Sequence, residues 1–316
     1  MLLKCVFMGL FSLSILHADI LKECKTEADK ISGCVVKEYD ENGKLEIEIP
    51  YKNDKAEGIA KVYYENGNLN IEIPYKNGKK EGIKRWYYES GNLWIETPYK
   101  NDKAEGIAKV YFENGKLERE TPFKNDKAEG IAKEYYESGE LRAETPFKNG
   151  KENGIKRGYY ENGNLAVETP FKNGKIDGIV KSYYVNGNLS FETPYKDNKR
   201  EGITKAYYVN GNLRFETPCK DDKREGMARR YYENGNLVIE VSYKNDELHG
   251  DLKYYTEDKK LLATINAQND KFISGKCPNN KALTDKDLTE IRREDINIEQ
   301  EINYLKEICL KESDSK

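Results

Sequence analysis

The residues whose chemistry could support catalysis are few, apart from carboxylates that recur at a fixed interval. A serine or cysteine nucleophile needs a neighbouring base, and His249 is the one histidine beyond the N-terminal segment. The chain repeats a 24-residue unit, and His249 stands at a loop position where other copies of this unit have glutamate, as at Glu57. The sequence contains no glycine-rich loop with a Lys-Ser/Thr pair that would cradle a phosphate. The recurring glutamates, which we expect to be solvated or paired across strands, include Glu48, Glu72, Glu96 and Glu120. The sequence therefore predicts a protein that is not an enzyme.

Metal binding is the second chemistry to consider, because aspartates stand in turns rich in asparagine and aspartate. Their oxygen atoms would suit Ca²⁺, but they are isolated along the chain rather than clustered at ligand spacing. These residues are Asp54, Asp102, Asp126 and Asp222. A zinc site is disfavoured because the sequence has no Cys-x-x-Cys motif. We therefore expect neither a metal nor a cofactor.

The cysteines point to an oxidising compartment. Cys24 and Cys34 lie close together near the N-terminus, and Cys277 and Cys309 lie together near the C-terminus. We predict one disulfide in each pair. Cys219 stands in a column that otherwise holds tyrosine or phenylalanine, so we expect it to act as a small buried hydrophobe.

Two columns of glycine show which elements position all these residues. Both columns repeat every 24 residues, which indicates an array of small identical modules rather than a globular domain. The first column, predicted to form a structural turn, is Gly43, Gly67, Gly91, Gly115, Gly139, Gly163, Gly187, Gly211 and Gly235. The second is Gly58, Gly82, Gly106, Gly130, Gly154, Gly178, Gly202, Gly226 and Gly250.

Each module reads as a β-hairpin. Residues 57–64 predict one strand, residues 65–67 a type I turn with a glycine bulge, and residues 68–75 the return strand. If Tyr64 faces Asn68, residue 62 should face residue 70, and pairs such as Trp86 with Trp94 would then oppose each other. This register predicts one face with Ile59, Tyr63, Leu69, Ile71, Ile73 and Tyr75, and another with Ala60, Tyr64, Asn70, Glu72 and Pro74. The basic column at Lys61 does not fit that division.

The predicted fold class is all-β: an elongated, single-layer, twisted antiparallel sheet of stacked 24-residue hairpins with a short C-terminal helical cap. The expected organisation is a signal peptide at 1–18, an N-terminal cap with a cysteine pair at 19–38, the repeat array at 39–265 and the helical cap at 266–316. The helix is predicted over residues 284–311, with an apolar stripe that packs on the array. A coiled-coil dimer is the alternative, although Asp295 on the stripe favours capping.

The repeat resembles the MORN repeat, in the bacterial variant known as the YwqK-type antitoxin repeat. The residues that carry the resemblance are Tyr63, Tyr64, Glu65, Asn66, Gly67, Leu69, Glu72, Tyr75, Asn77 and Gly82. The resemblance implies stacked β-hairpins, a binding or scaffolding role, and no active site within the repeat itself. It also implies an antitoxin that neutralises a toxin.

The charge and hydropathy of the chain limit the classes of partner that it could bind. The net charge is −3, the mean hydropathy is −0.90, and acidic and basic residues are interspersed, so no basic stripe for nucleic acid is present. The N-terminal segment reads as a signal peptide of a bacterial periplasmic or secreted protein, with no transmembrane segment after it. We therefore expect an exported, non-catalytic scaffold that binds a protein such as a toxin or an envelope protein. The alternatives are an antitoxin or immunity protein and a membrane- or lipid-associated protein. The predicted binding residues are Trp86 and Trp94, which stand in columns that vary between repeats, flanked by Tyr88 and Tyr64.

Overall fold

The computed structural model describes residues 21–292 and 297–310. The predicted signal peptide lies outside the described residues. The chain divides into two compact units, Met1–Lys103 and Ala104–Lys316, called unit 1 and unit 2 here. Neighbouring strands run antiparallel in both units, and short helices lie near the two termini. The predicted all-β array of stacked hairpins with C-terminal helices is confirmed.

The hairpins consist of a six-residue strand, an eight-residue return strand and a two-residue strand. The first strands are β1 (Cys34–Tyr39), β4 (Gly58–Tyr63), β7 (Gly82–Tyr87), β10 (Gly106–Tyr111), β13 (Gly130–Tyr135), β16 (Gly154–Tyr159), β19 (Gly178–Tyr183), β22 (Gly202–Tyr207), β25 (Gly226–Tyr231) and β28 (Gly250–Tyr255). The return strands are β2 (Leu45–Lys52), β5 (Leu69–Lys76), β8 (Leu93–Lys100), β11 (Leu117–Lys124), β14 (Leu141–Lys148), β17 (Leu165–Lys172), β20 (Leu189–Lys196), β23 (Leu213–Lys220), β26 (Leu237–Lys244) and β29 (Leu261–Gln268).

The two-residue strands are β3 (Lys55–Ala56), β6 (Lys79–Lys80), β9 (Lys103–Ala104), β12 (Lys127–Ala128), β15 (Lys151–Glu152), β18 (Lys175–Ile176), β21 (Lys199–Arg200), β24 (Lys223–Arg224) and β27 (Glu247–Leu248). The last strand is β30 (Lys271–Lys276), and the helices are α1 (Glu27–Ser32), α2 (Asp285–Ile291) and α3 (Ile298–Leu310).

The turn of each hairpin forms as predicted. The Gly67 N–H donates to the Tyr64 oxygen at 2.8 Å, and the Tyr64 N–H donates to the Asn68 oxygen at 2.8 Å. Gly67 has a φ of 86°, which glycine adopts without the steric cost that other residues meet. The type I turn with a glycine bulge is therefore confirmed, and Tyr64 does face Asn68.

The predicted register beyond that turn is wrong. Tyr63 pairs with Leu69, but Val62 pairs with Ile71, so Asn70 is the extra residue of a β-bulge. The same shift occurs in the other hairpins, and Trp86 therefore pairs with Ile95 instead of Trp94. For the same reason, Glu134 pairs with Ala143 and not with Arg142, and Ser182 pairs with Phe191 and not with Ser190.

The bulge also corrects the assignment of faces. In each hairpin, face A carries the columns of Ala60, Val62, Ile71, Ile73 and Tyr75, whereas face B carries those of Ile59, Lys61, Tyr63, Glu72 and Pro74. Residues 71–75 of the return strand were sorted correctly, but Leu69, Asn70 and the whole partner strand were each assigned to the wrong face, because the bulge shifts their phase by one residue. The basic column now fits, because Lys61 pairs with Glu72 on one side and with Glu48 on the other.

Face B is held together by polar side chains that link one hairpin to the next. The Tyr63 hydroxyl donates to Glu48 Oε2 at 2.7 Å, and Arg229 lies 3.2 Å from Glu216 and 3.0 Å from Glu240. The equivalent tyrosine-to-glutamate bonds run from Tyr87 to Glu72, Tyr135 to Glu120, Tyr159 to Glu144, Tyr183 to Glu168, Tyr207 to Glu192, Tyr231 to Glu216 and Tyr255 to Glu240. This tyrosine–glutamate ladder gives the sheet cohesion that an exposed apolar face cannot supply.

The loops join successive modules through the turn aspartates and the second glycine column. Asp102 Oδ1 accepts a hydrogen bond from the backbone N–H of Lys80 at 2.8 Å. This carboxylate therefore links its own module to the preceding one. Gly82 has a φ of 117°, and a Cβ there would lie 3.1 Å from Pro74 Cγ. The glycine and proline columns are therefore explained by close packing between modules.

The fully buried core lies in unit 2, where α2 and α3 cover face A of the last strands. Leu262, Ile265 and Leu305 have no exposed surface. The predicted stripe packs on the sheet, so capping is confirmed over a coiled coil: Leu288, Ile291, Ile298, Ile302, Leu305 and Cys309. The single predicted helix is two helices, and Asn297 caps the second by accepting bonds from the N–H groups of residues 299 and 300. Asp295 lies outside the described residues.

The two predicted disulfides are confirmed. Cys24 bonds to Cys34 in unit 1, and Cys277 bonds to Cys309 in unit 2, which ties α3 to the end of β30. Cys219 is a free, buried cysteine on face A, as expected from its aromatic column.

Candidate functional site

An unbroken apolar row crosses face A of unit 1. Cα pairing brings together Ile47 with Val62, Val62 with Ile71, Ile71 with Trp86, and Trp86 with Ile95. Because neighbouring strands lie about 4.8 Å apart, this unit-1 row spans about 19 Å across β2, β4, β5, β7 and β8. All of its residues are half-buried. Within the described part of unit 1, the one helix, α1, bonds to the turn at residues 53 and 54 and has no buried residue.

Two tryptophans lie at one end of the unit-1 row, and they are the only tryptophans in the chain. Trp86 belongs to the row itself. Trp94 is the bulge residue of its hairpin, has 40% of its surface exposed, and its ring centroid lies 5.6 Å from that of Tyr88. The bulge column stacks on this tyrosine column elsewhere too, as Arg142 does on Tyr136 in unit 2. The bulge therefore turns residue 94 onto face A, beside the row.

The predicted binding residues are thus brought together in part. Trp86, Trp94 and Tyr88 share one end of the unit-1 row, although the tryptophans do not oppose each other as predicted. The Tyr64 hydroxyl donates to the backbone oxygen of Tyr87 at 2.6 Å, which links two modules. Tyr64 therefore holds the framework on which the tryptophans stand.

Positive charge accompanies the tryptophans. Lys84 Nζ lies 4.0 Å from the centroid of the Trp86 ring, and Lys80 Nζ lies 5.2 Å from that of Tyr99. Burial, and then the nearby charge of Lys80, lower the pKa of Lys84. At the other end of the row, Glu38 is paired with Ile47. The row therefore has a basic, aromatic end and an acidic end.

The same two columns form a second row in unit 2, and there the chain's own helix covers them. Phe215, Arg230, Ile239, Tyr254 and Ala263 are successive Cα partners, called the unit-2 row. Ile239, Tyr254 and Ala263 belong to the core that contains the stripe of α3. The Tyr254 hydroxyl donates to Glu301 of α3 at 3.1 Å, and burial raises the pKa of that carboxyl.

Between the two rows, the columns lose their apolar character. From residue 110 to residue 206, the successive partners are Val110, Arg119, Glu134, Ala143, Gly158, Val167, Ser182, Phe191 and Ala206. Charged, small and hydroxyl residues interrupt the aliphatic ones. A long apolar ligand would therefore find a continuous surface in the unit-1 row but not here.

Sequence analysis missed the aliphatic members of the site and its cations: Ile47, Val62, Ile71, Ile95, Lys80 and Lys84. They were missed because the bulge was not predicted. Without the bulge, residue 62 is opposed to residue 70 and its true partner, residue 71, is placed elsewhere. The signal that could have revealed it was the basic column at Lys61, which makes sense only when it opposes the glutamates.

The tyrosine hydroxyls of face B have raised pKa values. Burial, followed by the bond to glutamate, raises the pKa of Tyr87 and of Tyr135 to about 12, so these hydroxyls stay protonated donors at neutral pH. Across residues 21–292 and 297–310, no three His, Cys, Asp or Glu side chains are grouped as metal ligands. No helix of the same residues is long and apolar enough to cross a membrane.

Comparison with known proteins identifies the repeat. The sequence pattern described as MORN repeat variant matches residues 35–53, 56–77, 80–101, 104–125, 128–149, 152–173, 176–197 and 224–245. These segments make up more than half of the chain, which therefore belongs to the MORN repeat variant family. The comparison with curated proteins found no match.

Two solved structures show distant similarity. One is the TcdB2-TccC3-Cdc42 complex, at 12% identity and a TM-score of 0.18, where the match covers 78% of this chain and 15% of that chain. The other is the Tc holotoxin pore of Photorhabdus luminescens, at 11% identity and a TM-score of 0.19, with coverage of 79% and 17%. The chain spans about a sixth of the length of those chains. Scores this low carry no argument about this protein.

Proposed function

We propose that this MORN-repeat protein is a non-catalytic recognition scaffold that binds a protein partner through the unit-1 row and its tryptophans. The observation that carries the proposal is the unit-1 row itself: a continuous apolar line, with Trp94 exposed beside it, on a face that unit 1 leaves half-buried. Half-exposed apolar lines flanked by aromatic residues are typical of surfaces that bind other proteins. The tyrosine–glutamate ladder on face B helps to hold the sheet together. The fold can therefore keep an apolar face A that is only half-buried.

The working compartment in this proposal is outside the cytoplasm. The disulfides Cys24–Cys34 and Cys277–Cys309 fit an oxidising environment. The N-terminal sequence provides the route, since it reads as a signal peptide cut after Ala18. Neutralisation of a toxin and association with lipid stay predictions from the sequence.

The experiment that tests the proposal compares three baits in a pull-down from cell-envelope extract. The baits are the chain from residue 19 onward, its Trp86→Ala/Trp94→Ala variant, and a Phe191→Ala/Phe215→Ala variant as matched control. Phe191 and Phe215 are also an aromatic pair on face A, with centroids 5.8 Å apart, but they lie in unit 2. A partner held by the unit-1 row should be captured by the first and third baits and lost with the second. Capture of the same proteins by all three baits would contradict the proposal.

A further inference from the structure

We infer that the ligand of the unit-1 row is an acidic amphipathic α-helix of the partner protein, laid across the strands. This inference rests on the proposed function and specifies the class of partner. It is based on the way in which the chain covers its own unit-2 row. There, the same columns of the same repeat are covered by α3, a thirteen-residue helix with an apolar stripe.

The first argument is the path of the covering helix. Ile298, at the start of α3, lines one cavity together with Tyr208 and Arg230, whereas Cys309, near its end, is bonded to Cys277 just past β30. The helix therefore crosses the strands instead of following one of them. A helix of this length extends about 20 Å, and the unit-1 row extends about 19 Å. One helix of three to four turns would cover the unit-1 row from end to end.

The second argument is the match of side chains. Residues 298, 302, 305 and 309 of α3 follow the i, i+4, i+7, i+11 spacing of one helix face. This apolar face of α3 packs on the unit-2 row, which contains an arginine, Arg230, between Phe215 and Ile239. The unit-1 row has aliphatic or aromatic residues at all five of its positions. It therefore offers such a stripe more apolar contact than the row that α3 already covers.

The third argument is charge. In unit 2, the buried carboxyl of Glu301 lies near Arg230, whose positive charge acts to lower the pKa of that carboxyl against the larger effect of burial. In unit 1, Lys80 and Lys84 provide the positive charge beside Trp86 and Tyr99. A helix with a carboxylate over these ammonium groups would pair with them. Glu38, the acidic residue paired with Ile47, favours a helix that is basic or neutral at its other end.

A second copy of this chain is a poor source of that helix. Its α3 is buried in its own core, where Leu305 has no exposed surface, and is tied by a disulfide. Releasing it would expose the core of unit 2. We therefore assign the helix to a different protein.

The probe for this inference is a synthetic peptide with the sequence of residues 297–310, with Cys309→Ala. A hydrocarbon link between positions 303 and 307, both exposed in α3, keeps it helical, which circular dichroism checks. Tryptophan emission of the chain from residue 19 onward reports only on the unit-1 row, because both tryptophans lie there and the peptide has none. The expected result is a saturable blue shift and a matching calorimetric isotherm.

Matched variants locate the binding. Ile71→Asp should weaken peptide affinity by about tenfold or more, since it buries a charge under the stripe, whereas Val167→Asp, in the same column in unit 2, should leave it unchanged. Lys84→Glu should weaken affinity severalfold, and Lys156→Glu, its column counterpart in unit 2, should not. A control peptide with Ile302→Asp and Leu305→Asp should not bind.

The outcome separates the two proposals. The helix inference is overturned if the linked peptide shows neither emission change nor heat at about 1 mM, a concentration that would detect binding worth only about 4 kcal/mol. It is also overturned if Ile71→Asp and Val167→Asp behave alike. A pull-down partner that depends on the tryptophans would still support the recognition scaffold in that case. Loss of that dependence would remove the scaffold proposal itself.

Discussion

The unit-1 row and the unit-2 row occupy the same two columns of one repeat, yet they differ in what lies over them. In the unit-2 row, Ile239, Tyr254 and Ala263 are buried in the core that contains α3, whereas Phe215 and Arg230 are half-buried. The unit-1 row is half-buried, although it is the more apolar of the two. In this repeat, burial is therefore decided by the covering element and not by the composition of the strand.

The comparison also shows how the array stays folded without a second layer. A face that no helix covers contributes less apolar burial than an ordinary core. Nearest-neighbour links replace it: the tyrosine–glutamate ladder, the turn aspartates, and the tyrosine hydroxyls that reach the next hairpin, as Tyr136 reaches the oxygen of Tyr159 at 2.7 Å. The side chains of face A can therefore differ from repeat to repeat. The two apolar rows are stretches in which most of these side chains are apolar.

The largest predicted difference between the two rows is in stability. Leu305→Ala should cost about 2–5 kcal/mol, because it leaves a cavity in the closed core of unit 2. Ile71→Ala, in the unit-1 row, should cost about 1 kcal/mol, since the side chain is already half-exposed and leaves no closed cavity. Hydrogen exchange of the strand amides during urea titration measures each region separately. Equal costs would mean that the unit-1 row is also covered.

High pH should loosen the uncovered array before the capped end. A tyrosine whose pKa is raised on folding stabilises the folded chain fully below pH 10, its ordinary pKa, and this contribution is lost as the pH rises toward its folded pKa. For Tyr87, Tyr135 and Tyr207 that value is about 12, from burial first and the bond to glutamate second. Burial, and then the charge of Glu301, hold the pKa of Tyr254 well above its ordinary value.

Ultraviolet titration of tyrosinate, followed together with exchange, should show the face B tyrosines ionising as the array opens between pH 10 and about 12. Tyr254 should ionise last. Ionisation of Tyr254 together with the face B tyrosines would show that α3 does not protect its row.

A single rung of the ladder should have a smaller effect. Tyr135→Phe removes the hydroxyl that donates to Glu120 at 3.0 Å, and should cost about 1 kcal/mol. The loss should be seen mainly in the exchange rates of β11 and β13, because contacts in a repeat array are local. A matched Tyr39→Phe control, at a site where the residue is exposed, should change little.

The smallest effect is expected for the isoleucines of face B. Ile131 has 53% of its surface exposed, so Ile131→Thr should change stability by less than about 0.5 kcal/mol. Thermal unfolding provides the measurement. A cost near that of Leu305→Ala would show that face B, too, is covered in solution.

Much of this architecture could be predicted from the sequence because the repeat fixes it. The glycine columns, the closing pair Tyr64 and Asn68, the two disulfides and the apolar stripe of the C-terminal helices all follow from local residue preferences. The bulge at position 70 could not be read directly, because asparagine, tryptophan, glutamate and arginine fill that column without a common preference. Its effect on the faces was the main error.

The candidate site was predicted only in part for the same reason. Trp86 and Trp94 stood out as rare residues, but their aliphatic partners became visible only when hydrogen-bonded pairing placed Val62 beside Ile71. The break between α2 and α3 was also missed, although Asn297, followed by Gln300, is a recognisable helix start.

The measurement that tests the central claim most directly compares Ile71→Asp with Ile239→Asp, two substitutions in the same column. Each variant is followed by urea unfolding monitored by hydrogen exchange and by titration with the linked α3 peptide. We predict that Ile239→Asp destabilises the last strands and α3 by several kcal/mol and leaves the peptide-induced tryptophan shift intact. Ile71→Asp should cost about 1–2 kcal/mol, since the side chain is half-exposed, and should weaken the affinity behind the tryptophan shift by about tenfold or more. If the two variants lose stability equally, or if both retain the tryptophan shift, the unit-1 row is not an open counterpart of the row that α3 covers.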